Sequence, residues 1–135
     1  MTVNVTYSGR YGWGHPKNPI KRPYAEIVFP GPKGYLRLWA LVDTGADYLQ
    51  LDNYWARSIG INPASTGAPL PVTLASGGTL RCYLVKGITV EIESKRVVVD
   101  CLFASTPSAT PILGRIALLA AIDVGFDVKG WMFKV

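Results

Sequence analysis

The sequence predicts an all-β domain, a closed barrel or sandwich of mostly antiparallel strands with two short helices. Three observations lead there. Apolar runs of strand length are separated by Gly- and Pro-rich turns along most of the 135 residues. Ile88, Val90 and Ile92 alternate with Thr89, Glu91 and Glu93, the period-2 pattern of a half-buried strand. Only two stretches, 52–61 and 114–122, show helical signals. A chain of 135 residues fits one domain with a real core and leaves little room for a second.

In chain order, residues 7–23 are rich in Gly, Pro and basic side chains without a steady period, so residues 1–23 read as an N-terminal arm and 24–135 as the domain. "YAEIVF" (24–29) and "YLRLWALV" (35–42) are strands joined through "GPKG". In the second strand Leu36, Leu38, Ala40 and Val42 share one face, and toward Asp43 both faces become apolar, which predicts that the strand enters the interior there. Asp52 and Gly60 bracket a helix of about two turns. Residues 62–71 read as loop. "VTLASGGTLRCYLV" (72–85) reads as two strands across a tip at Ser76, Gly77 and Gly78. The 88–92 strand turns back through "ESKR" into "VVVDCLFA" (97–104), and "GRIALLAAI" (114–122) is the second helix. The chain ends as strand, tight turn at Lys129 and Gly130, and strand.

Composition removes several kinds of chemistry. Net charge is +5, yet the 14 Lys and Arg are scattered with no block of like charge, so a solvated basic surface is favoured over a nucleic-acid partner. Cys82 and Cys101 are far apart and fit neither a redox pair nor a zinc site, and His15 is the one histidine. No metal or cofactor is expected, and Ser/His/Asp or Cys/His catalysis has no base unless His15 serves. Hydrophobic residues make up 49%, with no apolar run near the ~20 residues that span a bilayer, which points to a core plus an oligomer interface and no membrane. Residues 1–20 lack a signal-peptide pattern, so the expected location is cytoplasmic, with release from a larger precursor also compatible.

The chemistry-bearing set is "LVDTGAD" (41–47), the Gly77-Gly78 tip and "PILGR" (111–115). Singly, each has a plainer reading. Asp43 suits a strand-end turn, Gly77-Gly78 an ordinary hairpin, and Arg115 a pair with any surface acid. In this order they resemble the retropepsin family, the single-domain aspartic proteases of retroviruses and of related bacterial and eukaryotic chains, over about residues 24–135. The resemblance implies a closed β-barrel of the acid-protease type, with Asp43 as catalytic carboxylate and Thr44, Gly45 and Ala46 supporting its loop. It implies that Ser76, Gly77 and Gly78 tip a flap and that Asp47 and Arg115 form a structural brace. Leu41, Leu74, Leu80 and Ile112 are candidates for substrate-pocket walls, with plain core the alternative for each. The long helix-containing stretch before the flap is closer to bacterial than to viral members, Tyr48 stands where viral enzymes often carry a second acid, and the C-terminal strand pair extends further.

Peptide hydrolysis by carboxylates needs one ionised group to take a proton from water and one neutral group to protonate the carbonyl oxygen. A single Asp-Thr-Gly in 135 residues supplies half of that, so the expected enzyme is a symmetric homodimer in which two Asp43 carboxylates share a proton and act on an extended peptide or protein substrate. Gly45 lets the backbone approach that substrate, and the glycine tip folds over it. The alternative is a non-catalytic retropepsin-like module for dimerisation or peptide binding. The intact motif argues against that alternative.

Overall fold

The computed structural model describes residues 9–12, 23–31, 34–74, 76–105, 110–127 and 130–134. Residues 13–22 of the segment read as an arm, including His15, lie outside these, as does Lys129 of the expected C-terminal turn. Twelve strands and three short helices follow in order: β1 (Gly9–Gly12), β2 (Tyr24–Gly31), β3 (Gly34–Asp43), β4 (Leu49–Asp52), α1 (Asn53–Ser58), α2 (Pro63–Thr66), β5 (Ala68–Pro69), β6 (Val72–Thr73), β7 (Thr79–Leu80), β8 (Cys82–Ile92), β9 (Lys95–Ala104), β10 (Ile112–Gly114), α3 (Arg115–Ala121), β11 (Asp123–Asp127) and β12 (Gly130–Lys134).

Six strands pair in the order β2-β3-β10-β4-β9-β8, and β8 returns to β2, so the sheet closes into the barrel that the sequence predicts. Alternation directs Ala25, Ile27 and Phe29 of β2 and Leu38, Ala40 and Val42 of β3 into the core, where they meet Leu49, Leu51, Val90, Ile92, Phe103 and Leu113. Ala117, Leu118 and Ala121 of α3 pack onto the same core. Each large side chain so buried contributes about 1.5–3 kcal/mol. Outside the barrel, β12 pairs with β1 on one side and β11 on the other, so part of the N-terminal segment is itself a strand. No helix among the described residues is long and apolar enough to cross a membrane.

The structure differs from the sequence reading at several points. Most barrel pairs are antiparallel as expected, and two are parallel, β3 with β10 and β4 with β9, since neither pair is joined by a hairpin. The segment 62–71 contains a one-turn helix, α2, which Pro63 starts with its preset φ. Residues 82–92 form one strand, interrupted in register between Val85 and Ile88, where Gly87 takes φ +73 and donates its N–H to Asp100 Oδ1 at 3.2 Å. The helix at 52–61 is α1, whose first turn Asp52 caps by accepting the Tyr54 and Trp55 N–H groups at 2.9 and 3.3 Å. Gly60, at φ +79, turns the chain out of it.

The seam that closes the barrel was not visible in the sequence. β8 and β9 are joined by a two-residue turn of Glu93 (φ 47) and Ser94 (φ 69), positive at both positions though neither is glycine. Compensation comes from β2. The Glu93 N–H donates to the Glu26 carbonyl at 3.0 Å, and Glu93 Oε1 accepts the Glu26 N–H at 2.7 Å, extending the short β2–β8 ladder at Ile27–Ile92 and Val28–Glu91. Glu93→Ala leaves the Glu26 amide without that acceptor and is expected to lower unfolding free energy by about 1–3 kcal/mol in urea titration. Ser94→Gly removes only the left-handed strain and is expected to raise it by up to about 1 kcal/mol.

Candidate active site

Asp43 is the last residue of β3, and residues 44–48 carry the chain from there into β4. β10 lies between these two strands, parallel to β3 (Ile112–Leu41, Leu113–Val42, Gly114–Asp43) and antiparallel to β4 (Ile112–Gln50, Leu113–Leu49). Val42 and Leu113 point into the core, so the neighbouring residues Leu41, Asp43 and Ile112 point outward. The sequence reading that β3 carries Asp43 into the interior is therefore corrected. The carboxylate is half-buried on the outer face of the wall, and the strand is apolar on both faces because that outer face has its own apolar row.

Asp43 Oδ1 accepts the Gly45 N–H at 2.9 Å, and the Asp43 carbonyl accepts the Ala46 N–H at 3.1 Å. A Cβ on Gly45 would stand 3.2 Å from the same Oδ1, so glycine gives the carboxylate an unobstructed approach to its amide donor. Thr44 is exposed. Three successive carbonyls of the loop, Ala46, Asp47 and Tyr48, accept the N–H groups of Arg115, Ile116 and Gly114 at 2.8, 2.9 and 3.0 Å. Since α3 has no side-chain cap, the loop itself satisfies the amides that open the helix. Arg115 Nη2 lies 2.8 Å from Asp47 Oδ1, joining the two residues expected to form a brace.

Above the outer face stands a separate two-stranded hairpin, β6 with β7, paired Val72–Leu80 and Thr73–Thr79. Its tip holds Ser76, Gly77 and Gly78, all exposed, closed by the Leu74 N–H to the Gly78 carbonyl at 2.8 Å and the Gly77 N–H to the Leu74 carbonyl at 2.9 Å. Gly77 has φ +90, a conformation that glycine adopts freely. The base of the hairpin rests on a second apolar cluster outside the barrel core, where Cys82, Leu102 and Ala104 pack with Tyr48, Leu70, Val72, Leu80 and Leu84.

Of the four apolar candidates for pocket walls, Leu41 and Ile112 are register partners on the outer face, Leu80 is half-buried in the second cluster, and Leu74 is exposed near the tip. A cleft of about 330 Å³ lies between the 45–48 loop and the hairpin base. Tyr48, Gln50, Leu70, Val72 and Leu102 line it, together with the loop backbone. The sequence reading named none of these as pocket residues. The available signal was the alternation through 48–51, which puts Tyr48 and Gln50 opposite the buried Leu49 and Leu51. Burial raises the thiol pKa of Cys82 and pushes that of Cys101 well up, so both stay neutral thiols at pH 7, unsuited to act as nucleophiles.

Gly114 is the tightest point of the site, because a Cβ there would fall under 3.0 Å from the backbone of Asp47 and Tyr48. Gly114→Ala is expected to cost more than about 3 kcal/mol of stability, since only a backbone shift of the loop relieves the overlap. Arg115→Ala is expected to cost less than about 1 kcal/mol, because its pair with Asp47 is more than half exposed on both sides and screened by solvent. Urea unfolding of the two variants beside the parent chain checks the contrast.

A comparison with the curated proteins finds no match. The family model for aspartyl protease matches residues 31–116, more than half of the chain. That span contains β3, the Asp43 loop, the glycine-tipped hairpin, β10 and the Asp47–Arg115 pair. With a closed six-stranded barrel and one Asp-Thr-Gly loop on its wall, the chain belongs to the aspartyl protease family, of the retropepsin-like kind.

Proposed function

We propose that the protein is an aspartic endopeptidase, active as a symmetric homodimer in which Asp43 of each chain forms half of the catalytic pair. The observation that carries this reading is the Asp43 carboxylate itself. It is half-buried beside an apolar floor, and among the described residues its hydrogen bonds leave Oδ2 free of partners. A turn-forming Asp has no need of a loop anchored at three successive carbonyls. A second copy of the loop, brought up across a two-fold axis, provides the other carboxylate.

The reaction follows from sharing one proton between the two groups. The ionised carboxylate takes a proton from a water held between the pair as the water oxygen attacks the scissile carbonyl carbon. The protonated partner gives its proton to the carbonyl oxygen. Collapse of the tetrahedral intermediate breaks the C–N bond as the carboxyl group holding the proton from water passes it to the leaving amine and the other carboxylate takes a proton back from a hydroxyl of the intermediate, so that one water is consumed for each new acid and amine. The pair returns to its singly protonated state. Neither copy is permanently the acid or the base, since the proton belongs to the pair.

In this reading Thr44, exposed beside Asp43, reaches across the axis to hold the paired loops together. The 72–80 hairpin is a flap. An isolated two-stranded ribbon is marginally stable alone, which suits an element that lifts to admit an extended peptide and settles over it. Asp47 and Arg115 steady the loop and take no part in the chemistry.

Asp43→Asn is expected to reduce peptide hydrolysis at least ~10²- to 10⁴-fold, with the circular dichroism spectrum and sedimentation of the parent chain retained. Cleavage at the parent rate by this variant would mean that the fold serves as a peptide-binding or dimerisation module and that the observed activity has another source. The parent enzyme is expected to show a bell-shaped rate profile with its optimum on the acid side of neutral, because the pair must hold one proton and no more. A rate constant from acid to alkaline pH contradicts the shared-proton mechanism.

A further inference from the structure

Strand register lays one row of side chains across the outer face of the barrel. Leu41 pairs with Ile112, Ile112 with Gln50, Gln50 with Leu102 and Leu102 with Leu84. Four of the five are aliphatic. Gln50 alone is polar, and it lines the cleft between the 45–48 loop and the hairpin base. The other cleft side chains are Ala46, Tyr48, Leu70, Pro71, Val72 and Leu102, together with Asp47, whose carboxylate is already paired with Arg115 at 2.8 Å.

The Gln50 carboxamide makes no hydrogen bond to any described residue, and its polar atoms are not sealed from solvent. A carboxamide open to solvent is hydrated in the free chain. An aliphatic side chain filling the cleft would expel that water and leave a donor and an acceptor unmet between apolar walls. A charged side chain would lose its own hydration with no free counter-charge beside it. A carboxamide has an apolar stem for the walls, and its end matches Gln50 donor to acceptor and acceptor to donor.

Resting on the peptidase reading, we infer that Gln50 is a specificity-determining residue, and that the cleft beside Asp43 selects a Gln or Asn side chain of an extended peptide. In a symmetric dimer the two copies of the cleft flank the scissile bond, so the preference falls at equivalent positions on both sides of it.

The test uses peptides that differ only in carrying Gln, Leu, Glu or Lys at one position, moved stepwise along an otherwise constant sequence. Binding is read by fluorescence anisotropy on the full chain with Asp43→Asn, and cleavage by mass spectrometry on the chain with Asp43 intact. Each is measured with Gln50 and with Gln50→Leu. With Gln50, the Gln peptide is expected to bind about tenfold tighter than the Leu peptide, the worth of two modest hydrogen bonds, and Gln50→Leu reverses the order. Gln50→Glu keeps the shape and retains one of the two bonds, so the Gln preference falls several-fold and is not reversed. Equal or tighter binding of Leu, Glu or Lys with Gln50 present overturns the inference, as does discrimination unchanged by Gln50→Leu. Discrimination dependent on residue 50 without cleavage keeps the subsite and refutes the peptidase. Cleavage indifferent to residue 50 keeps the peptidase and refutes the subsite, and peptides neither bound nor cut refute both.

Discussion

The site depends on the hydrogen bonds by which the carbonyls of Ala46, Asp47 and Tyr48 receive the amides of Arg115, Ile116 and Gly114. One contact satisfies two requirements. A helix without a side-chain cap gains acceptors for its first amides, and a loop without regular structure is held along three consecutive residues. The approach is so close that only glycine fits at position 114. β10 is thereby wedged between β3 and β4, and the direction of the Asp43 carboxylate follows from register and not from side-chain contacts. The Asp47–Arg115 ion pair lies over this backbone arrangement and adds little to it, since both side chains are largely in water.

The same wedge explains why the chain is so apolar for its size. A barrel wall with solvent on its outer face alternates apolar and polar residues, as 88–93 does. Around β10 the wall instead has apolar residues on both faces, with Val42, Leu49 and Leu113 inward and Leu41, Leu102 and Ile112 outward. The hairpin base covers part of the outer row through Leu70, Val72 and Leu80, forming a cluster distinct from the core. Leu41 and Ile112 lie outside that cluster and stay half-buried on the outer face. This outer row is built on strands that have sheet neighbours on both sides, so its shape does not depend on loops settling.

What could be read from the sequence divides along the range of the interactions. The Asp52 cap, the Gly60 stop, the glycine tip at 77–78 and the β2–β3 hairpin are local events that turn and cap chemistry announce. The Asp43 motif and Ile112-Leu113-Gly114-Arg115 are recognisable as segments, yet nothing local shows that Ile112, Leu113 and Gly114 run parallel to β3, 71 residues upstream. Alternation alone sets Gln50 opposite the buried Leu49 and Leu51, but its place in a row with Ile112 and Leu102 exists only once three distant strands are in register. The Glu93-Ser94 turn contradicts local preference outright. It is held by Glu26, 67 residues away, which no turn signature encodes. The bulge at Lys86–Gly87 bends one strand where a reading by propensity saw the end of one and the start of another.

The central claim is that half a catalytic site is encoded in each chain and that dimerisation completes it. The separation of the two Asp43 carboxylates in a crystal of the assembled protein tests this most directly. The account predicts a two-fold axis between them, with carboxylate oxygens of the two copies within about 2.6–3.2 Å, close enough to share a proton. A dimer that places the two Asp43 side chains on separate faces, or a chain that stays monomeric at crystallisation concentrations, would contradict it.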